Sequence, residues 1–225
     1  MKILDWFYPP VCMGCRALLP LNDERRCAVW LCPECEALIE PPGDEPDLRA
    51  NSAAFHFTYN RSAFVYGGIL RDIIRDVKFR GKKNHARALG RLWAESCRHL
   101  PTEEFILVPV PLHPRKERER GFNQAEVLAR ELSKGMNLPV QNVLIRVIDT
   151  LPQAGLHPAR RAENVMDAFR IAPRYLVRDE SYIMVDDIFT TGASLNECAR
   201  TLIAGGAREV ACLTLSVSLK KEDGV

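Results

Sequence analysis

The sequence has no apolar run approaching the roughly 18 residues of a membrane-crossing helix, so no span is expected. It also has no GxxxxGK[ST] loop and no GxGxxG fingerprint, which weighs against an ATPase or a dinucleotide-dependent oxidoreductase. Internal repeats and low-complexity tracts are missing too. Net charge is small: 31 Lys and Arg against 29 Asp and Glu leave +2 at pH 7. A chain this close to neutral is not marked as a nucleic-acid binder, and any basic surface has to be local. The stretch from Met1 to Pro10 is too short and too interrupted for a signal peptide. The expectation is a cytoplasmic protein whose eight cysteines are reduced thiols or metal ligands, not a disulfide framework. The rest is ordinary for a globular chain: 225 residues, 47% hydrophobic and 27% charged, with room for one medium domain and a small appendage.

Four of the cysteines stand in two knuckles, Cys12-Met13-Gly14-Cys15 and Cys32-Pro33-Glu34-Cys35, at the spacing of a zinc ribbon. Four thiolates with no open position make a structural zinc site, whereas a catalytic zinc keeps a water and normally takes His or carboxylate. The physical reason for a metal is size, because a piece of about 40 residues buries too little apolar surface to fold alone. Cys27 lies between the knuckles, outside both CxxC pairs, and reads as packing. The ribbon is assigned residues 1–42, and the Pro- and acid-rich stretch that follows gives a linker over 43–53.

From Gly68, the residues Ile69, Leu70, Ile73, Ile74 and Val77 follow helical spacing, and a second helix is expected from His85 to about Leu100. Before them, Ala54 to Tyr59 alternates like an edge strand, so residues 54–104 read as a helical hood. Between the helices lies a basic hairpin, Lys78, Arg80, Lys82 and Lys83. It is either a solvated turn or a patch for an anion, substrate phosphate or single-stranded nucleic acid. His56, His85 and His99 have no ligand spacing.

Tyr182 to Val185 reads as a strand buried on both faces. It ends in Asp186 and Asp187, which need an opening because paired buried charges are costly. Thr190, Thr191, Gly192, Ala193 and Ser194 follow, and Ser194 with Glu197 has the form of a capping box that starts a helix. Free amides at a helix start suit phosphate, and carboxylates accept hydrogen bonds from a sugar diol. This run resembles the phosphoribosyl-pyrophosphate (PRPP) signature of the type I phosphoribosyltransferases. The resemblance implies that Asp186 and Asp187 hold the ribose hydroxyls, as binding and catalytic carboxylates, and that Thr190 to Ser194 wrap the 5′-phosphate. A second strand, Phe105 to Pro111, leads to Arg120-Gly121-Phe122-Asn123-Gln124, where Asn123 and Glu126 form another capping box and Gly135 ends the helix.

Val108 to His113, Arg120 to Ala125, Gln153 with Leu156, and Arg160-Arg161 with Asn164-Val165 together resemble the ComF family. That family joins an N-terminal zinc ribbon to a phosphoribosyltransferase-like domain and is associated with uptake of transforming DNA. The implied fold is α/β, a type I phosphoribosyltransferase-like parallel sheet flanked by helices, over residues 105–219. Many members carry further Cys pairs, but Gly43 to Phe55 has none here, so one zinc site is expected. The resemblance also implies that Pro111, His113, Arg115 and Lys116 contact pyrophosphate, and that Arg160 and Arg161 reach a phosphate from a flap. Mg²⁺ is expected with PRPP. Three readings stand: a PRPP-binding protein of DNA uptake that contacts single-stranded DNA, an active phosphoribosyltransferase on an unread acceptor, or a zinc-ribbon nucleic-acid or scaffold protein with a vestigial sugar site.

Overall fold

The computed structural model describes residues 10–43, 55–97, 100, 104–149 and 165–219. Four parallel strands form the main sheet: β1 (Asn60–Val65), β2 (Phe105–Pro109), β5 (Ser181–Phe189) and β6 (Glu209–Val217), in the order β1-β6-β5-β2. A short antiparallel pair, β3 (Leu144–Arg146) and β4 (Phe169–Ile171), stands beside it. β5 reads as an unbroken apolar run because both of its faces are covered. Ile183 and Val185 join Leu107, Ala211, Leu213 and Leu215 on one face. Tyr182 and Met184 join Val108, Val210 and Cys212 on the other.

The first face is covered by α3 (Gly68–Phe79), α4 (Lys83–Cys97) and α6 (Gln124–Met136), through Leu70, Ile73, Ile74, Leu89, Trp93, Leu128 and Leu132. α4 and α6 approach closely at two glycines. A Cβ on Gly90 would lie 2.8 Å from Glu131 Cβ, and one on Gly135 would lie 2.8 Å from Ala94 Cβ. Gly135 is therefore not the expected helix stop. α6 runs through it to Met136, and Asn137 at φ 55° makes the left-handed cap instead. The second face is covered by α7 (Ala193–Ala204), through Leu195, Cys198, Ala199 and Leu202, together with Leu144 and Phe169 of the short pair.

The N-terminal module holds two short helices, α1 (Glu24–Val29) and α2 (Pro33–Ala37), and an antiparallel bridge from Val11 to Leu18. Its Cys12, Met13, Leu31 and Cys35 share one buried cluster with Leu70, Leu89 and Trp93. Arg25 also bridges Glu36 (2.6 Å) and Glu95 of α4 (2.7 Å), and Arg91 donates to the Ala28 carbonyl at 3.0 Å. The ribbon is thus docked on the helical layer.

The segment read as a hood gives β1 to the sheet, in parallel register with β6. The strand begins at Asn60, and His56 to Thr58 of the alternating stretch before it form bends. α4 starts at Lys83, two residues before the expected His85. Most of the linker, residues 44–53, lies outside the described residues.

Candidate functional site

The carboxyl end of β5 carries both acids, and the pleat sends them to opposite faces. Asp187 follows Val185 toward α3 and is 5% exposed. Lys78, in the last turn of α3, puts its Nζ 2.7 Å from Asp187 Oδ2. That oxygen has no aligned hydrogen bond among the described residues, so the contact is an ion pair. Ser216 Oγ donates to the Asp187 carbonyl at 3.0 Å and fixes the backbone there. Asp186 is half-buried, and its Oδ1 accepts the Asp187 amide at 2.8 Å. Burial, then the charge of Asp187, pushes the Asp186 carboxyl up to about 7, with Lys78 opposing.

After Phe189 the chain turns through Thr190 and Thr191 to Gly192, the N-cap of α7 at φ 72°. A Cβ at Gly192 would stand 3.0 Å from the Phe189 ring and 3.1 Å from Phe55 Cε1, so both backbone and space require glycine. The expected Ser194–Glu197 capping box is not formed: the cap has no side-chain hydrogen bond. Glu197 accepts the Asp167 amide at 2.8 Å and pairs with Arg200 at 2.6 Å. The first-turn amides have no acceptor within the helix, and Thr191 Oγ1 is buried beside them with no hydrogen-bond partner among the described residues. A helix start with open amides and an unengaged hydroxyl is an anion cradle.

The third side of the site is cationic. His113 caps α5 (Pro114–Arg120), accepting the Arg115 amide at 3.3 Å, and Pro111 lies just before it. Arg115 pairs with Asp149 at 2.9 Å. Burial, then the charge of Arg146, lowers the Lys116 pKa. Burial also lowers Arg120, against the opposing charges of Asp187 and Asp186. It lowers Arg146 as well, whose guanidinium lies 5.4 Å from the centre of the Phe169 ring and feels Asp186 and Asp149. Arg120 and Arg146 are site cations that sequence reasoning missed. Arg120 was visible as the lead into a helix and as part of the family motif but was given no site role; its Nη1 donates to Gln124. No local pattern marked Arg146, which reaches the site from β3. A cleft of about 480 Å³ opens alongside, lined by Pro111, Leu112, Asn123, Asn142 and Arg146. Arg160, Arg161, Gln153, His157 and Asn164 lie outside the described residues.

The basic hairpin is not one free patch. Lys78 turns inward to Asp187, Arg80 and Lys82 both pair with Asp76 (3.1 and 2.9 Å), and Lys83 lies 5.8 Å from the centre of the Phe122 ring. Phe79, by contrast, is 77% exposed. It borders a groove of about 470 Å³ between α3 and the first knuckle, with Arg16, Arg75 and Arg80 along it.

The ligand atoms of Cys12, Cys15, Cys32 and Cys35 all lie within 4.8 Å of one another. Burial alone would raise the Cys12 thiol, but bonds from the Cys32, Cys15 and Gly14 amides bring it down to about 7. An all-sulfur set of four with no open position fits a structural zinc, which these four residues would hold. Cys27 stands apart and donates to the Pro20 carbonyl.

No protein-family profile matches the chain. It is 30% identical to competence protein ComFC of Bacillus subtilis over 217 residues, covering 91% of this chain and 83% of that one. It is 28% identical to the DNA utilization protein YhgH of Escherichia coli, covering 90% and 94% of the two. Among solved structures it is similar to a hypoxanthine phosphoribosyltransferase of Staphylococcus aureus, at 11% identity and a TM-score of 0.35 over 65% of this chain and 68% of that one.

Two outcomes follow from this geometry. Cys12→Ser should cost one equivalent of zinc and lower the melting temperature; unaltered metal content would remove the ribbon assignment. Asp186 can accept from a diol through both oxygens only when ionised. Affinity for a ribose phosphate should therefore rise with pH through about 7 and level off above it, and titration calorimetry on Asp186→Asn should lose that step. The folded carboxyl is the weaker acid, so this group binds its proton more tightly folded than unfolded. Ligand-free stability from this group falls as pH rises from the ordinary carboxylate range toward 7.

Proposed function

The chain belongs to the ComF family of competence proteins, and on that premise we propose that it binds PRPP as a phosphoribosyltransferase-like protein of DNA uptake. The observation that carries the reading is the convergence at one sheet end of an acid pair, an open-amide turn and a cationic wall. Asp186 and Asp187 take the ribose hydroxyls, and Thr190 to Ser194 take the 5′-phosphate. Pyrophosphate falls to Arg115, Lys116, Arg120 and Arg146, with Pro111 and His113 shaping the loop. Arg binds phosphate as a planar fork and Lys as a point charge. Mg²⁺ arriving with the pyrophosphate would spread the charge that develops as the bond to the sugar breaks. If transfer follows, the carboxylates stabilise an oxocarbenium-like ribose while the cations hold the leaving group, so the protein's part is electrostatic. Among the described residues no helix is long and apolar enough to cross a membrane.

PRPP with Mg²⁺ should raise the melting temperature by several degrees, in line with ligand linkage at about 100 times Kd. Asp186→Asn with Asp187→Asn should abolish the shift; a shift that survives would sink the assignment. Incubating PRPP with a panel of nucleobases and following pyrophosphate release separates enzyme from binder.

A second reading is favoured by Phe79. An exposed ring beside Arg80, Arg75 and Arg16 has the makeup of a stacking platform for single-stranded DNA. Binding of a labelled oligonucleotide should weaken steeply with salt, and Phe79→Ala should cost about tenfold or more. Affinity indifferent to both would exclude this surface.

A further inference from the structure

We propose that Lys78 is a positioning residue of the sugar site, supplying at the diol end the positive charge that a divalent cation would otherwise bring. The inference rests on the PRPP reading and concerns how its acid pair is kept ready. Two adjacent carboxylates at a buried strand end repel each other, and burying such a charge without a partner is costly. Asp187 is the less exposed of the two, and the ammonium 2.7 Å from its Oδ2 is its compensation. Lys78 is itself placed by its helix. It lies in the last turn of α3, where the helix dipole favours a cation. Two residues earlier Asp76 engages Arg80 and Lys82, so Lys78 is the hairpin cation turned to the strand. At the other end of α3, Ile69 seats against the first cysteine knuckle, with its Cδ1 only 2.2 Å from where a Cβ on Gly14 would be.

An ammonium holding Oδ2 fixes the orientation of Asp187 in the ligand-free protein. A sugar diol then meets two acceptors already in place. Mg²⁺ is left to the pyrophosphate, and a ligand without pyrophosphate needs no metal at all.

Ribose 5-phosphate is the probe that isolates this end. By titration calorimetry in EDTA, the wild-type chain should bind it. Lys78→Gln should weaken binding about tenfold, a loss of about 1.4 kcal/mol. Lys78→Arg should recover most of that loss, and adding Lys78→Gln to Asp187→Asn should cost little beyond Asp187→Asn alone. Should the glutamine variant fold poorly, NMR of the wild-type lysine ammonium gives the same answer: a protected Lys78 signal that moves as ribose 5-phosphate is added. Wild-type affinity retained by Lys78→Gln, or a Lys78 signal indifferent to ligand, overturns the role of Lys78 alone. Wild-type binding that vanishes in EDTA and returns with Mg²⁺ overturns it as well, leaving the sugar site intact. Failure of the wild-type chain to bind either ribose 5-phosphate or PRPP, with or without Mg²⁺, overturns the PRPP reading together with it.

Discussion

The constraint that shapes this molecule is the charge of two neighbouring carboxylates at the end of a strand covered on both faces. β5 is covered on both faces, and a strand in that position normally ends in something neutral. Here the pleat separates the acids, and each meets a different environment. Asp187 is carried by Lys78 from the helical layer; Asp186 is left above Cys198 and Cys212 with its proton held to about 7. Breaking a buried ion pair from one side typically costs about 3–5 kcal/mol. α3 is therefore tied to the sheet through this contact as well as through Leu70, Ile73 and Ile74.

That tie gives the ribbon a structural meaning it lacks as an isolated motif. A cysteine module of this size has no core of its own, and its Cys12, Met13 and Leu31 are completed by side chains of α3 and α4. Arg25 and Arg91 add polar links to the same helices. The exposed ring of Phe79 and the inward-turned ammonium of Lys78 belong to consecutive residues of one helix. The groove beside the knuckle and the acid pair are accordingly reached from two faces of a single element.

Much of this was legible in the chain. Apolar runs ending in acids or prolines located β2 and β5, helical spacing located α3 and α6, and the cysteine knuckles named their own ligands. What failed was local in form and tertiary in cause. Ser194 and Glu197 have the spacing of a capping box, yet Glu197 is claimed by Asp167 and Arg200. Gly135 looked like a terminator because a glycine serving close helix contact is indistinguishable from one serving a left-handed turn until the partner helix is known. Lys78 was grouped with the hairpin because sequence spacing cannot say which member of a basic run faces inward. Arg146 was invisible, since only the fold brings β3 to the end of β5.

The same burial that makes the cationic wall unfavourable when empty explains why it suits a polyanion. Lys116, Arg120 and Arg146 are each pushed toward their neutral forms by desolvation, so their charges are held at a cost in the free protein. A polyanion arriving there would relieve that cost, and away from bulk water each contact is stronger than at the surface. The acid pair acts in the opposite sense. One end of the pocket thus favours a positive group and the other a negative one, so a ligand that carries both, or develops them as a bond breaks, gains at both ends.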